Sequence, residues 1–340
     1  MTARTEPQRL LELIRRFKGR RLLVLADLVA DEVVYGRVER VSREAPVLIL
    51  RYDGIDVRLG GGANAVHNIR TLGGAPIPLG VVGRDDHGRR VRELLRGRGV
   101  SSARVFGEAG FATPVKTRIL AGGVHASKQQ VVRIDKVTRL PERSLARERV
   151  LRALRDLRGR VDGVLVSDYG FGLLTPRVVE AALALARKRR VPVTVDSRHG
   201  LLAFRGMTAV TPNEPEVEAA LGITIGHDRG RLESAGRTLL RRLAARAVLI
   251  TRGGDGMALF EQGQKPLHIP IYGTDEVADV TGAGDTVIAA FTLALAAGAT
   301  PAEASRLANY AGGIVVMKRG TATASADELA EAVRRDAEAG

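Results

Sequence analysis

Residues 279–288 (DVTGAGDTVI) place a glycine-rich turn and a carboxylate at the start of an apolar segment with helical spacing. The first backbone N–H groups of a helix have no partner inside the helix, and the helix dipole favours an anion there. A phosphate held by this turn would lie beside Asp285. The pattern predicts phosphoryl transfer, with Asp285 as the general base and Gly282, Ala283 and Gly284 as amide donors to the phosphoryl oxygens. The alternative interpretation is a tight turn alone.

The elements that must position this turn alternate between strand and helix. From about residue 142 onward, apolar strands are separated by helices of about ten to fifteen residues, which is typical of a mostly parallel sheet covered on both faces. We predict strands at 21–26, 77–82, 163–166, 191–195, 247–250, 257–260 and 266–271, with a short one near residue 209. We predict helices within 1–20 and at 60–72, 86–98, 142–157, 176–187, 214–220, 229–243, 283–296, 301–316 and 326–337. The predicted fold class is α/β.

Four further strand-like segments do not fit this alternation: 33–38, 47–57, 113–120 and 130–134. They are interpreted as a small separate sheet, assembled from 32–57 and 113–135, which we call the lid. No repeat, low-complexity run or linker divides the chain. We therefore expect one domain over residues 1–340.

Composition excludes several classes of function. There is no cysteine, which excludes disulfides and thiolate metal sites and fits a reducing cytoplasm. Neither a signal peptide nor an apolar run long enough for a membrane helix is recognisable. The net charge of +15 is spread over predicted helix faces, and aromatic residues make up only 4%. We interpret the charge as compositional bias with attraction for phosphorylated small molecules, not as nucleic-acid binding. The six histidines show no metal-ligand spacing.

Two strings resemble the signatures of one enzyme family. DVTGAGDT, within residues 279–288, resembles the C-terminal signature of the ribokinase-like (PfkB) sugar kinases, and residues 60–68 (GGGANAVHN) resemble their N-terminal signature. The resemblance covers the chain from about Leu22 to Leu329. It implies a ribokinase-like three-layer α/β/α fold with a mostly parallel central sheet and a small β-sheet lid. It also implies an ATP-dependent kinase that uses Mg²⁺ and, in many members, a monovalent cation such as K⁺.

Further strings narrow the resemblance to the kinase half of the bacterial D-glycero-β-D-manno-heptose 7-phosphate kinase/heptose 1-phosphate adenylyltransferases. They are ADLVADEVVYG, SREAP, KQQVVRID, VSDYGFG, TPNEPE and LITRGGDGM. This implies phosphorylation of the heptose 7-phosphate at C1 to the 1,7-bisphosphate, in ADP-heptose biosynthesis for lipopolysaccharide core. No HxGH motif occurs, so we expect no adenylyltransferase domain here. The chain would be a stand-alone kinase, with a separate adenylyltransferase in the same pathway, or a fragment of a fusion. Ala26, the pair Ser42-Arg43 and Ala278 depart from the family pattern near the predicted pocket.

The resemblance implies three groups of site residues. The sugar would be bound by short polar side chains and by glycines that allow close approach: Asp27, Asp31, Gly61, Gly62, Asn64, Asn68 and Asp168. Its phosphate would be bound by lid cations, Lys116, Arg118 and Arg133, with Lys128, Arg198 and Arg43 as further candidates. ATP would be bound at Asn213, Thr251, Arg252, Gly253 and Gly256. Asn213 and Glu216 would organise Mg²⁺ through water, and Asp279 and Thr281 would hold the monovalent cation.

Structural alternatives remain open for these residues. The spacing of Asn213 and Glu216 fits a helix capping box, Asp168 fits a turn acid, and each lid cation fits an ordinary surface charge. Alternatives for the whole chain are a kinase for another sugar, sugar phosphate or nucleoside, and a sugar- or nucleotide-binding protein without catalysis. A lid sheet leaves an apolar face, so we also expect a homodimer joined through the lids.

Overall fold

The computed structural model describes residues 5–122, 128–273, 279–318 and 320–339. Its helices are α1 (Glu6–Arg15), α2 (Gly62–Thr71), α3 (Asp86–Gly97), α4 (Leu145–Arg155), α5 (Pro176–Arg189), α6 (Glu214–Leu221), α7 (Arg229–Leu243), α8 (Ala283–Ala296), α9 (Pro301–Val316) and α10 (Ala326–Ala339). Its strands are β1 (Arg21–Val41), β2 (Leu48–Gly61), β3 (Ala75–Gly83), β4 (Val105–Glu108), β5 (Val115–Gly122), β6 (Gln129–Lys136), β7 (Gly163–Asp168), β8 (Val193–Ser197), β9 (Ala209–Val210), β10 (Ala247–Thr251), β11 (Met257–Glu261) and β12 (Leu267–Ile269).

The main sheet runs in the order β12-β11-β10-β9-β8-β7-β1-β3-β4. Its strands are parallel except β11 and β12, which add an antiparallel edge. Alternate β1 residues enter opposite cores, as the twofold period of a strand requires: Leu22 and Val24 pack under α1, α2 and α8, whereas Leu23 and Leu25 pack under α4, α5 and α7. The predicted three-layer α/β/α arrangement is confirmed.

The first strand corrects the sequence prediction. Residues 21–26 and 33–38 were expected as separate strands, but both belong to the continuous strand β1, which crosses from the main sheet into the lid. Aspartate has a low strand propensity, so the sequence around Asp27 and Asp31 predicted a break between two strands. Both carboxylates are buried and accept hydrogen bonds, which lets the strand continue through them.

The lid is built from the segments expected for it, although it is not a separate sheet. Strands β2 and β5 flank the outer half of β1, and β6 pairs with β5. Several large apolar side chains on these strands are exposed, among them Val38, Leu48, Tyr52, Ile55, Val132 and Ile134. Strand β4, at the far edge of the main sheet, was not predicted. It has only four residues, too few for a periodic pattern to stand out.

The start of α2 is pressed against β1. Gly61 has φ +52°, a left-handed conformation that glycine adopts without strain. A Cβ on the next residue, Gly62, would overlap the Cβ of Ala26 and lie 2.9 Å from the backbone oxygen of Asp27. These contacts leave room for nothing larger than hydrogen at position 62. They fix where α2, with Asn64 and Asn68 in its first two turns, meets the sheet.

Gly62→Ala should therefore lower the free energy of unfolding by about 1–3 kcal/mol, because the added methyl must displace α2 or β1. The midpoint of urea denaturation measures the change. Gly97→Ala is the matched control: position 97 is also helical, and an added Cβ there meets no atom within 4 Å. The control should change the free energy of unfolding by no more than about 0.5 kcal/mol. Equal effects of the two substitutions would contradict the packing argument.

Candidate active site

A cavity of about 390 Å³ lies between the lid, the start of α8 and the strand ends of the main sheet. Its walls include most of the positions singled out from sequence: Asp31, Gly61, Lys116, Arg118, Asn213, Glu216, Thr251, Gly253, Gly256, Thr281, Gly282, Ala283, Gly284 and Asp285. Strands β8 and β10 end at this cavity, as expected for ligand sites of open α/β sheets. Helix α9 closes another side with Asn309, Gly312 and Val316.

The turn before α8 has the conformation that the glycines predicted. Gly282 is the N-cap of α8 with φ +79°, and a Cβ there would lie 2.6 Å from the side-chain nitrogen of Asn64. A Cβ at Gly284 would meet no protein atom within 4 Å, because this residue faces the cavity. Within the described residues, the amides of Gly282 and Gly284 have no backbone acceptor. The amide of Ala283 differs from the prediction, since it already donates to the Val280 carbonyl at 3.2 Å.

Asp285 lies in the first turn of α8 and is buried. One carboxylate oxygen, Oδ1, accepts a hydrogen bond from the Tyr169 hydroxyl at 2.9 Å, and Oδ2 accepts one from Asn64 Nδ2 at 3.1 Å. Burial raises the pKa of Asp285 to about 6, although these two hydrogen bonds and the charges of Arg198 and Lys116 act to lower it. A carboxylate of this kind is a good general base near neutral pH.

Asn64 and Asn68 join α2 to α8 inside the protein and are not among the cavity-lining residues. Asn64 Nδ2 also lies 3.4 Å from the Gly282 carbonyl. Asn68 donates to the Asn64 carbonyl at 3.1 Å and accepts from the Thr286 hydroxyl at 3.0 Å. The contacts of these two residues hold the general-base candidate in position, and their role in sugar binding stays a prediction.

Asp27 and Asp168 are likewise turned towards backbone and not towards the cavity. Asp27 Oδ2 accepts the amides of Tyr169 and Phe171 at 3.0 and 3.1 Å. Burial raises the pKa of Asp27 to about 7, against the lowering effect of these hydrogen bonds. Asp168 accepts the Gly170 amide at 3.0 Å and the Ser197 hydroxyl at 2.7 Å. Both aspartates therefore hold the turn after β7, and the turn-acid alternative describes Asp168 correctly.

The predicted nucleotide side is assembled around the start of α6. Asn213 Oδ1 accepts the Glu216 amide at 2.8 Å, and Glu216 Oε2 accepts the Asn213 amide at 2.9 Å, so the capping box is present. Both residues also line the cavity, and burial raises the pKa of Glu216. The neighbouring β10 places Thr251 beside Asn213. The side chain of Arg252 is engaged elsewhere, in ion pairs with Glu214 at 2.8 Å and Asp255 at 3.2 Å.

The lid cations fall into two groups. Lys116 and Arg118 line the cavity and are largely buried. Arg118 pairs with Asp31, which also accepts a hydrogen bond from Thr321, and Lys116 pairs with Asp135 at 3.2 Å. The other candidates lie outside the wall: Arg133 is half exposed and shares Asp135, Lys128 pairs with Asp53, and Arg43 is exposed in the turn after β1.

Asp279 lies just before the α8 turn. Its carboxylate accepts the amides of Thr281 at 2.9 Å and Gly320 at 3.0 Å. Burial raises the pKa of Asp279, but the hydrogen bonds outweigh it, so that this pKa lies below the usual range. Thr281 lines the cavity, whereas Asp279 is not among the lining residues. Ala278, one of the departures from the family pattern, lies outside the described residues.

Several cavity residues were missed, or given only secondary rank, in the sequence analysis. Tyr169, Asp196 and Thr321 line the wall, and Arg198, only a secondary candidate, lies with its guanidinium carbon 4.9 Å from the centre of the Tyr169 ring. Asp196 ends β8, and burial together with the charges of Glu216 and Asp285 raises its pKa well above the usual range. Its position after an apolar strand was the signal that could have found it.

Two further features are absent from the described residues. No cluster of three or more histidine, cysteine, aspartate or glutamate side chains in this part of the chain is arranged to hold a metal ion. A bound cation would need ligands from water or a substrate. None of the described helices has the length and apolarity to cross a membrane.

Curated relatives resemble the chain over nearly its whole length. Bifunctional protein HldE of Pelobacter propionicus is 40% identical over 94% of the chain and 64% of the relative, and that of Geobacter metallireducens is 42% identical over 90% and 61%. The chain thus spans less than two thirds of the length of these relatives.

Solved structures show the same fold at low identity. Arabidopsis thaliana ribokinase, complexed with ribose and ATP, superposes with a TM-score of 0.71 at 21% identity, covering 93% of this chain and 99% of that one. Phosphofructokinase-2 from Escherichia coli, in complex with potassium, gives a TM-score of 0.73 at 18% identity over the same shares. The predicted ribokinase-like fold is confirmed. A family model described as pfkB family carbohydrate kinase matches residues 28–328, so the chain belongs to this family and is a carbohydrate kinase.

Proposed function

We propose that this kinase transfers the γ-phosphoryl group of ATP to the C1 hydroxyl of D-glycero-β-D-manno-heptose 7-phosphate, in ADP-heptose biosynthesis for lipopolysaccharide core. The observation that carries the proposal is the buried Asp285 carboxylate in one cavity with the lid cations Lys116 and Arg118. Beside it lie the amides of Gly282 and Gly284, which have no backbone acceptor among the described residues. The similarity to proteins named HldE supports a heptose phosphate over other acceptors. It also supports an adenylyltransferase that acts on the product.

Asp285 would remove the proton from the C1 hydroxyl as its oxygen attacks the γ-phosphorus. The new bond joins the C1 oxygen to phosphorus, the bond from phosphorus to the β,γ-bridging oxygen breaks, and ADP leaves with that electron pair. The proton stays on the carboxylate. The hydrogen bonds from Asn64 and Tyr169 hold both oxygens of Asp285, so the base meets its substrate in one orientation.

The amides of Gly282 and Gly284 would stabilise the negative charge that develops on the transferred group. They stand at the positive end of the α8 dipole and need no rearrangement during the reaction. The lid would cover the sugar and exclude water, so that ATP is not hydrolysed.

The site is suited to Mg²⁺ carried in with ATP. Glu216 uses Oε2 in the capping box and keeps Oε1 for an ion or its water, and Asn213 lies beside it. Mg²⁺ keeps several waters and takes few protein ligands, which agrees with the absence of a three-carboxylate cluster in the described residues. When bound, it would neutralise charge on the phosphates. Asp279 and Thr281 would hold K⁺ beside the α8 turn. The potassium complex of E. coli phosphofructokinase-2 supports a monovalent cation in a protein of this fold.

The cations Lys116 and Arg118 would hold the 7-phosphate of the sugar. Their present partners, Asp135 and Asp31, balance the two charges before the substrate arrives. A phosphate group offers more acceptor oxygens than a carboxylate and suits both side chains. The exposed apolar residues of the lid, such as Val38 and Ile134, support a homodimer joined through this surface.

The first test measures ADP release from ATP and Mg²⁺ with D-glycero-D-manno-heptose 7-phosphate, sedoheptulose 7-phosphate, fructose 6-phosphate, ribose and adenosine. We expect turnover with the heptose phosphate and a loss of at least about 10³-fold in kcat for Asp285→Asn, which keeps the size but not the basicity of the side chain. Turnover confined to another acceptor would overturn the substrate assignment and leave the kinase mechanism. An unchanged rate in Asp285→Asn would overturn the role of the base.

The second test places a methyl group where the phosphate would lie. Gly284→Ala should leave the free energy of unfolding nearly unchanged, since the new Cβ has no protein neighbour within 4 Å, but should lower kcat by about 10²–10³-fold. Gly97→Ala serves again as control and should keep full activity. Wild-type turnover by the Gly284→Ala variant would show that phosphate does not approach this turn.

The third test concerns the substrate phosphate. Lys116→Met should raise KM for the phosphorylated sugar by about 10- to 100-fold and leave KM for ATP nearly unchanged, because a charged hydrogen bond to the sugar phosphate is lost. Lys136→Met, the same change at an exposed site on the adjacent strand β6, is the matched control. A larger effect on KM for ATP than for the sugar would assign Lys116 to the nucleotide.

A further inference from the structure

The side chain of Tyr169 reaches the general-base candidate from a different element of the fold than Asn64 does. It lies in the turn after β7, whereas Asn64 is on α2, and the two residues donate to different oxygens of Asp285, at 2.9 and 3.1 Å. Tyr169 is buried, and burial together with the charge of Asp285 raises the pKa of its hydroxyl well above the ordinary value. The hydroxyl therefore stays protonated and acts as a donor to the carboxylate.

The backbone of Tyr169 is held as firmly as its side chain. Asp27 accepts the amides of residues 169 and 171 through a single oxygen, and the Phe171 carbonyl accepts the Leu140 amide at 2.8 Å. The buried carboxylate on β1 thus fixes the turn that carries the tyrosine. Asp27 therefore positions the backbone of Tyr169, although it is not among the residues that line the cavity.

Gly61 provides the space for the aromatic ring. A Cβ at this position would lie 3.1 Å from the ring carbon Cε2 of Tyr169 and 2.7 Å from Cγ2 of Val29. Further contacts come from Phe171, whose ring centroid is 6.2 Å away, and from Arg198. The ring is enclosed by β1, the start of α2 and its own turn, so its hydroxyl has a fixed direction.

We propose that Tyr169 is a positioning residue for Asp285, whose hydroxyl orients the carboxylate and keeps it ionised for proton abstraction. This inference rests on the role of Asp285 in the proposed function. Removal of the hydroxyl takes away one of two donors that stabilise the charged carboxylate. The carboxylate would be held by Asn64 alone and could rotate about its remaining hydrogen bond.

The direction of the pH effect follows from the groups that face Asp285. Tyr169 and Asn64 donate hydrogen bonds, Arg198 and Lys116 contribute positive charge, and Asp196 contributes negative charge from β8. Loss of a donor favours the protonated carboxyl, so the pKa of Asp285 rises above its present value of about 6. The base must be ionised to act, and the acid limb of kcat/KM for the free enzyme therefore moves to higher pH.

The experiment compares wild type with Tyr169→Phe, which keeps the ring. We measure kcat/KM against pH with whichever sugar of the panel is turned over. The wild-type acid limb should lie near pH 6, and that of Tyr169→Phe should lie about one pH unit higher, with a lower kcat. Tyr310→Phe is the matched control, since Tyr310 also donates to an aspartate, Asp336, away from the cavity. It should reproduce the wild-type profile.

A second measurement needs no sugar at all. The titration of the Asp285 carboxyl is followed by ¹³C NMR in protein labelled at aspartate Cγ, with the resonance assigned by its loss in Asp285→Asn. Tyr169→Phe should raise this pKa by the same amount. If no acceptor is turned over, the proposed function fails while the titration still decides the role of Tyr169. Coincident Asp285 titrations in wild type and Tyr169→Phe would overturn the inference, as would a kinetic acid limb that does not move.

Discussion

The structure of the site depends on the burial of one carboxylate at the point where α2 and α8 meet. Asp285 is inside the protein at the start of α8, and a buried carboxylate must be hydrogen-bonded or it loses its charge. The donor from α2, Asn64, also contacts the Gly282 carbonyl, so the same amide fixes Asp285 and the turn before α8. Thr286 and Asn68 add a second link between these helices. A shift of α2 against α8 would therefore disturb base and turn together.

A second dependence runs along β1, whose two halves belong to the main sheet path and to the lid. Asp27 lies where the strand still pairs with β3, and four residues later Asp31 lies where it pairs with β2 and β5. The first carboxylate holds the turn of Tyr169, and the second holds Arg118 of the lid and Thr321 beyond α9. One continuous strand thus carries both the carboxylate that holds the turn of Tyr169 and the carboxylate that pairs with a cation of the lid.

The sequence predicted the layers of the fold well because strand and helix periods are local properties. It predicted the α8 turn because glycines at 282 and 284 have a direct conformational meaning. It predicted less well which polar residues face the cavity: Asn64, Asn68 and Asp27 were expected at the sugar but make internal hydrogen bonds. A motif identifies residues and not the direction of their side chains. Tyr169 was not predicted as a site residue. Its partner Asp285 is distant in sequence, and nothing in the local sequence indicates that the two side chains are hydrogen-bonded.

The charge state of Asp285 results from opposing effects, of which burial is the largest. Burial alone would raise the pKa and favour the neutral acid. The hydrogen bonds and positive charges alone would lower the pKa and make the carboxylate a weak base; they come from Asn64, Tyr169, Arg198 and Lys116. Their balance leaves the pKa at about 6, which keeps most of the carboxylate ionised at neutral pH while retaining basicity towards a sugar hydroxyl. Lys116 contributes to this balance from the lid and Arg198 from the body. A phosphorylated sugar that engages Lys116 would weaken the cationic contribution and make Asp285 more basic when the substrate is in place.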